Sequence, residues 1–151
     1  MGLVFLVIHV LGAVLFIGPA AVTASLFPRY VPITDGNGGM RDEARSLSVA
    51  TALNRVARTY GMLALVVPAA GLVLGILWDK FSQGWLLVAM LLTAVAGVLF
   101  AVLIVPAQRR LLQQPAPRAQ VTRLGIQSGI FNLLWVAVLV LMVTQPFAPE
   151  D

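Results

Sequence analysis

The stretch LVFLVIHVLGAVLFIGPAAVTASLFPR, Leu3–Arg29, decides the fold. From Met1 to Pro28 there is no Lys, Arg, Asp or Glu. An α-helix crosses the hydrocarbon core of a bilayer with about 20 apolar residues, and Leu3–Phe27 is longer than that. The run is also too long for the apolar core of a secretory signal and lacks its basic flank, so it reads as a retained first helix. One residue does not suit hydrocarbon. His9 is the only histidine of the chain, and a titratable ring inside a span is a functional-site hypothesis by default.

The rest of the chain follows the same pattern. Of 151 residues, 60% are hydrophobic and 11% charged, whereas soluble domains carry about 25% charged residues. Too few charges remain to cover a water-facing surface, so lipid is the solvent for most of it. The pattern predicts an all-α polytopic membrane protein, a single domain over 1–151, folded as a four-transmembrane-helix bundle. The spans are expected near 3–27, 60–78, 84–105 and 124–144. Pro19 is expected to kink the first. Pro32, Asp35-Gly36 and Asn37-Gly38 mark a loop. A helix starting near Met40 or Arg41, with Asp42, Glu43, Arg45 and Asn54 on its polar face, is expected to run unbroken into the second span. Pro106 is expected to end the third, leaving Gln108 to Arg123 as a loop. Pro146 and Pro149 lead into an acidic tail, Glu150-Asp151.

Charge sets the orientation. Nine of the ten basic residues fall in the first and third connections or beside them: Arg29, Arg41, Arg45, Arg55, Arg58, Arg109, Arg110, Arg118 and Arg123. Only Lys80 falls at the other end. The positive-inside rule places the Arg-rich loops in the cytoplasm and both termini outside. Trp78 and Trp85 would belt the outer interface, and Tyr30 and Tyr60 the inner one. This arrangement explains the basic residues without nucleic acid.

Packing and chemistry can then be read span by span. Ala64, Pro68, Gly71 and Gly75 share one helix face, and Gly71 with Gly75 forms GxxxG, which lets backbones approach closely in lipid. Gly125, Gly129 and Asn132 share another, and Asn132 is expected to make an interhelical hydrogen bond. His9 lies about six residues, roughly 9 Å, below the outer end of its helix. Met90 lies at a similar depth in the third span. Imidazole and thioether together suit haem iron or Cu(I). His9 and Met90 are therefore the candidate cofactor ligands, with His9 the candidate metal ligand. Two copies of His9 around one shared haem is an alternative. So is a structural role, with the ring bonded to Asn132 or a backbone carbonyl. Arg55 and Arg58 suit lipid headgroups or a partner chain. The chain has no cysteine, hence no thiolate site. It has no buried carboxylate relay, and no Walker A, HExxH or GxSxG motif.

Three pieces resemble the CopD-like group of small bacterial four-helix membrane proteins. They are LVIHVLGAVLFIGPAAVTASLFPR, then NRVARTYGMLAL followed by PAAGLVLG, and FNLLWVAVLVLMVTQP. The match is closest to that group's family without an assigned function. It is more distant from the copper-resistance D membrane domain and the HemJ-type protoporphyrinogen oxidases. The latter resemblance implies haem b held through His9. It also implies a membrane lysine, which has no counterpart here, since Lys80 falls in a turn. The expected function is a non-catalytic membrane subunit or self-associating bundle in the bacterial inner membrane, partnered by lipid and by its own copies or other membrane subunits. The alternatives are a haem-binding redox protein using His9 and a transporter of copper or a small molecule.

Overall fold

A computed structural model describes residues 1–34, 40–41, 45–114 and 116–146. Four helices are long and apolar enough to cross a membrane: α1 (Gly2–Tyr30), α2 (Leu47–Leu77), α3 (Gly84–Gln113) and α4 (Arg118–Thr144). They run up and down in sequence order. One end of the bundle carries the arginine-rich connections, and the other carries Gly2, Trp78 and Trp85. They are called the arginine end and the tryptophan end below.

Three helices are interrupted, each just before a proline. A proline has no N–H to give the carbonyl four residues back, and in hydrocarbon no water replaces the bond. In α1 the chain widens into a π-helical stretch over Ala13–Ile17, ahead of Pro19. In α3 it does so over Leu99–Ile104, ahead of Pro106. In α2 the break at Ala64 and Leu65 precedes Pro68, and the Val67 N–H tightens back onto the Ala64 carbonyl at 3.0 Å. Helix α4 has no internal proline and is regular throughout.

These adjustments correct two expected boundaries. Pro106 does not end the third span, because the π-helical stretch absorbs its missing donor and the helix continues to Gln113. The expected loop over 108–123 thus shrinks to the residues between α3 and α4. The second helix begins at Leu47, not near Arg41. Ser46 caps it, its hydroxyl accepting from the Val49 N–H at 3.4 Å, as N-cap serines do. Asp42 and Glu43 of the expected polar opening lie outside the described residues, as does the Glu150-Asp151 tail. Met40–Arg41 instead forms a short strand, β2. It pairs antiparallel with β1 (Ile33–Thr34), and β1 pairs in parallel with β3 (Ala116–Pro117). This small sheet joins the two connections of the arginine end.

The two halves of the bundle pack differently. In the arginine half all four helices meet. Gly18–Tyr30 lies against Leu47–Leu63 and α4, and Leu47–Leu63 lies against Val105–Gln113. Ala20, Ala24, Ala50 and Ala57 are buried. Their small side chains let α1 and α2 approach closely. Phe27, Ile104, Leu124 and Phe131 complete this core. In the tryptophan half the helices separate into pairs. Gly2–Gly12 packs on Val66–Leu77, and Gly84–Val98 packs on α4, with little contact between the pairs.

A run of aromatic contacts lies between the halves. Phe16 meets Tyr60 at 6.5 Å between ring centroids, Phe100 meets Phe131 at 5.1 Å, and Phe131 meets Trp135 at 6.2 Å. Gly61 links the groups, since a Cβ there would collide with the Phe100 ring. Gly97, also in α3, has open space around it. Gly61→Val should therefore lower the unfolding free energy by about 1–3 kcal/mol through overpacking, whereas Gly97→Val should change it little. Thermal unfolding in detergent would distinguish the two.

Candidate functional site

His9 sits in the first half of α1 and faces Val66–Leu77 of α2. Its Nδ1 lies 2.8 Å from the Val67 carbonyl oxygen. A carbonyl only accepts, so Nδ1 carries the proton and the lone pair of the neutral ring is on Nε2. The carbonyl has a second lone pair to offer beside its helical bond. The ring fits there because position 71 is glycine. A Cβ on Gly71 would stand 2.9 Å from His9 Cε1 and 3.2 Å from Nδ1. The ring is half-buried, and Nε2 has no hydrogen-bond partner among the described residues. A histidine whose Nδ1–H is fixed by a backbone carbonyl has the orientation usual for a metal-binding imidazole.

The GxxxG face is used inside the chain. Gly71 receives His9, and a Cβ on Gly75 would stand 2.9 Å from the Phe81 ring. Both glycines therefore serve intrachain packing at the tryptophan end. Met90 is half-buried in Gly84–Val98, the segment that packs on α4, whereas His9 packs on α2. The two candidate ligands thus belong to different helix pairs. Arg55 and Arg58 are exposed toward the arginine end. Asn132 makes its interhelical bond, with Nδ2 donating to Ser25 Oγ at 2.7 Å, and Ser25 Oγ donating to the Ala21 carbonyl at 2.9 Å. Of the two partners anticipated for His9, the backbone carbonyl is the one it has.

The partners of several polar groups are not legible in the sequence. Asn54 Nδ2 donates to Gln108 Oε1 at 2.9 Å, and both residues are buried. With Pro106 read as a helix stop, Gln108 falls in a loop. Arg45 donates through Nη1 to the Pro28 and Val31 carbonyls, at 3.0 and 2.9 Å, and so caps the end of α1. Ser128 and Trp135 also point inward. For Gln108, Ser128 and Trp135 the signal is a polar group within a helix long enough to span; Arg45 precedes α2 and carries no such signal.

Among the described residues no group of three or more His, Cys, Asp or Glu is placed to hold a metal ion. A shallow, open groove of about 400 Å³ runs along α3, lined by Ala94, Val95, Val98, Leu99 and Leu103. It carries no group able to do acid–base or nucleophilic chemistry. No family model, curated protein or solved structure matches the chain.

Gly71→Ala is expected to push the ring off the Val67 carbonyl, and His9→Ala to remove it. Each should lower stability by about 1 kcal/mol, the scale of an interhelical hydrogen bond in lipid. Together they should cost less than their sum, because the added methyl fills space the ring has left. A double-mutant cycle on thermal unfolding measures this, and strict additivity would mean that the ring and the glycine are not coupled.

Proposed function

We propose that the protein is a non-catalytic membrane subunit that works by packing against another membrane chain, in the first instance a second copy of itself. One observation carries this reading: α3 has an uncovered face of small residues. Ala94, Gly97 and Ala101 are exposed, Gly97 has open space around it, and the apolar groove lies along the same helix. In lipid, small residues mark the faces where helices approach each other. Only 17–22% of each span's most apolar stretch is buried within the chain, so ample surface remains for lipid and for a partner. The arginine bias supports placement in a bacterial inner membrane with the Arg-rich connections in the cytoplasm and both termini outside. The resemblance to the CopD-like family without an assigned function fits the same reading.

The orientation of His9 favours a second reading, a haem-binding redox protein. His9 would hold the haem through its Nε2 lone pair, and the haem would supply the redox chemistry. Met90 lies in the other helix pair, so any further ligand would come from elsewhere, such as a second copy's histidine. A copper transporter would need further ligands close to His9, and Met90 does not lie in the helix pair that holds it.

The chain lacks cysteine, which makes the test of association direct. Gly97→Cys in native membranes should form a disulfide-linked dimer under mild oxidation. Val4→Cys, on an exposed face of α1, should not. Monomer alone at position 97, with no other chain captured, would sink the subunit reading. For the second reading, purified protein expressed with ample haem should have a Soret band that His9→Ala abolishes. A colourless preparation would rule it out.

A further inference from the structure

Asn54 and Gln108 fix how α2 and α3 meet at the arginine end. The bond from Asn54 Nδ2 to Gln108 Oε1 crosses the seam at 2.9 Å, and both side chains are buried. An α-helix turns by about 100° per residue. Arg55 and Arg58 stand one and four residues after Asn54, and Arg109 stands one after Gln108. Because the two helices run antiparallel, these steps turn all three arginines to one side of the seam. It is the outer side. Thr51, Arg55, Arg58 and Arg109 are exposed there, with Val105 and Leu112 half-buried, whereas Ala50, Ala57, Ile104 and Leu111 are buried on the inner side. Arg110, one residue further along α3, is turned away from the seam.

The depth of these arginines follows from the opposite interface. A helix crosses the hydrocarbon with about 20 residues. Counted from Trp78 along α2, that length ends at Thr59, beside Arg58. Counted from Trp85 along α3, it ends at Ile104. The Asn54–Gln108 bond independently sets Ile104 level with Arg58, each being four residues from it, so the two counts agree. Arg58 lies at the edge of the hydrocarbon. Arg55 is about 4.5 Å and Arg109 about 7.5 Å further out, at a rise of 1.5 Å per residue. This is the layer of lipid phosphates.

The charge at this end is unbalanced: nine arginines stand against Asp35, Asp42 and Glu43. Among the described residues no carboxylate pairs with Arg55, Arg58 or Arg109. Guanidinium groups donate paired hydrogen bonds to phosphate, and basic pockets between membrane helices take anionic headgroups. A single phosphate of one negative charge would leave two of the three arginines unneutralised. A headgroup with two phosphates balances most of them.

We propose that the outer side of the α2–α3 seam binds an anionic phospholipid carrying two phosphates, held by Arg55, Arg58 and Arg109 against Val105 and Leu112. The site goes beyond self-association and does not depend on it.

Native mass spectrometry of the purified protein in neutral detergent, with each lipid added at equal phosphate, reads the lipid bound per chain. Cardiolipin, with two phosphates, should bind about fivefold more tightly than phosphatidylglycerol, with one, and phosphatidylcholine should bind least. Arg58→Gln and Arg109→Gln should each weaken cardiolipin binding about fivefold, the equivalent of about 1 kcal/mol per arginine. Arg110→Gln removes the same charge beside Arg109 but off the seam, and Arg118→Gln removes it on α4. Both should change binding by less than about twofold. Inorganic pyrophosphate at the same concentration should leave the lipid in place. Equal losses in Arg109→Gln and Arg110→Gln would reduce the seam to a general basic surface and overturn the site. So would cardiolipin binding no tighter than phosphatidylglycerol, or displacement of the lipid by pyrophosphate.

Discussion

The structure depends on one constraint: inside hydrocarbon, every backbone carbonyl must find its donor within the protein. Pro19, Pro68 and Pro106 each remove a donor from a spanning helix, and each loss is met locally. Two helices widen by a π-helical stretch and the third tightens by a turn. The consequences reach beyond the backbone. Below these adjustments the four helices share one core built on alanine, phenylalanine and isoleucine. Above them they separate into two pairs. His9 lies in one pair, within reach of a carbonyl of α2 just beyond its break. Met90 lies in the other. The position of the prolines therefore fixes both where the bundle is tight and which polar groups can meet.

The balance of forces differs between the halves. In the arginine half the small faces of α1 and α2 bring backbones close, and the Asn54–Gln108 and Asn132–Ser25 bonds cross between helices. Arg45 closes the end of α1, and the three short strands hold the connections together. In the tryptophan half each helix packs closely within its own pair, burying Val67, Ala70, Leu74, Leu86, Ala89 and Val138, but the two pairs meet little. The first half is held across all four helices, the second within two separate pairs. A span can be equally apolar along its length and still be unequally anchored.

The four spans and their alternation were legible in the sequence because uncharged runs of that length have few other uses. His9 stood out as the one titratable group inside them, and Asn132 as a polar group needing a partner. What escaped were features that depend on register. A proline in a span reads as a stop, since the sequence does not reveal that a widened turn can take up the missing bond. The sequence therefore places Gln108 in a loop and hides its pairing with Asn54. The levelling of His9 with Met90 counted residues from helix ends, and so could not tell which helices would be neighbours. The charged residues near Arg41 read as an amphipathic helix start, whereas Ser46, a capping residue before an apolar run, marks the true one.

The small sheet at the arginine end has a bearing on how the chain is made. Its middle strand, Ile33–Thr34, leaves the ribosome soon after the first helix. One of its partners, Ala116–Pro117, follows only after the third helix has been synthesised. The first connection must therefore wait, incompletely paired, while two further spans enter the membrane. The clasp then closes late, joining residues far apart in sequence.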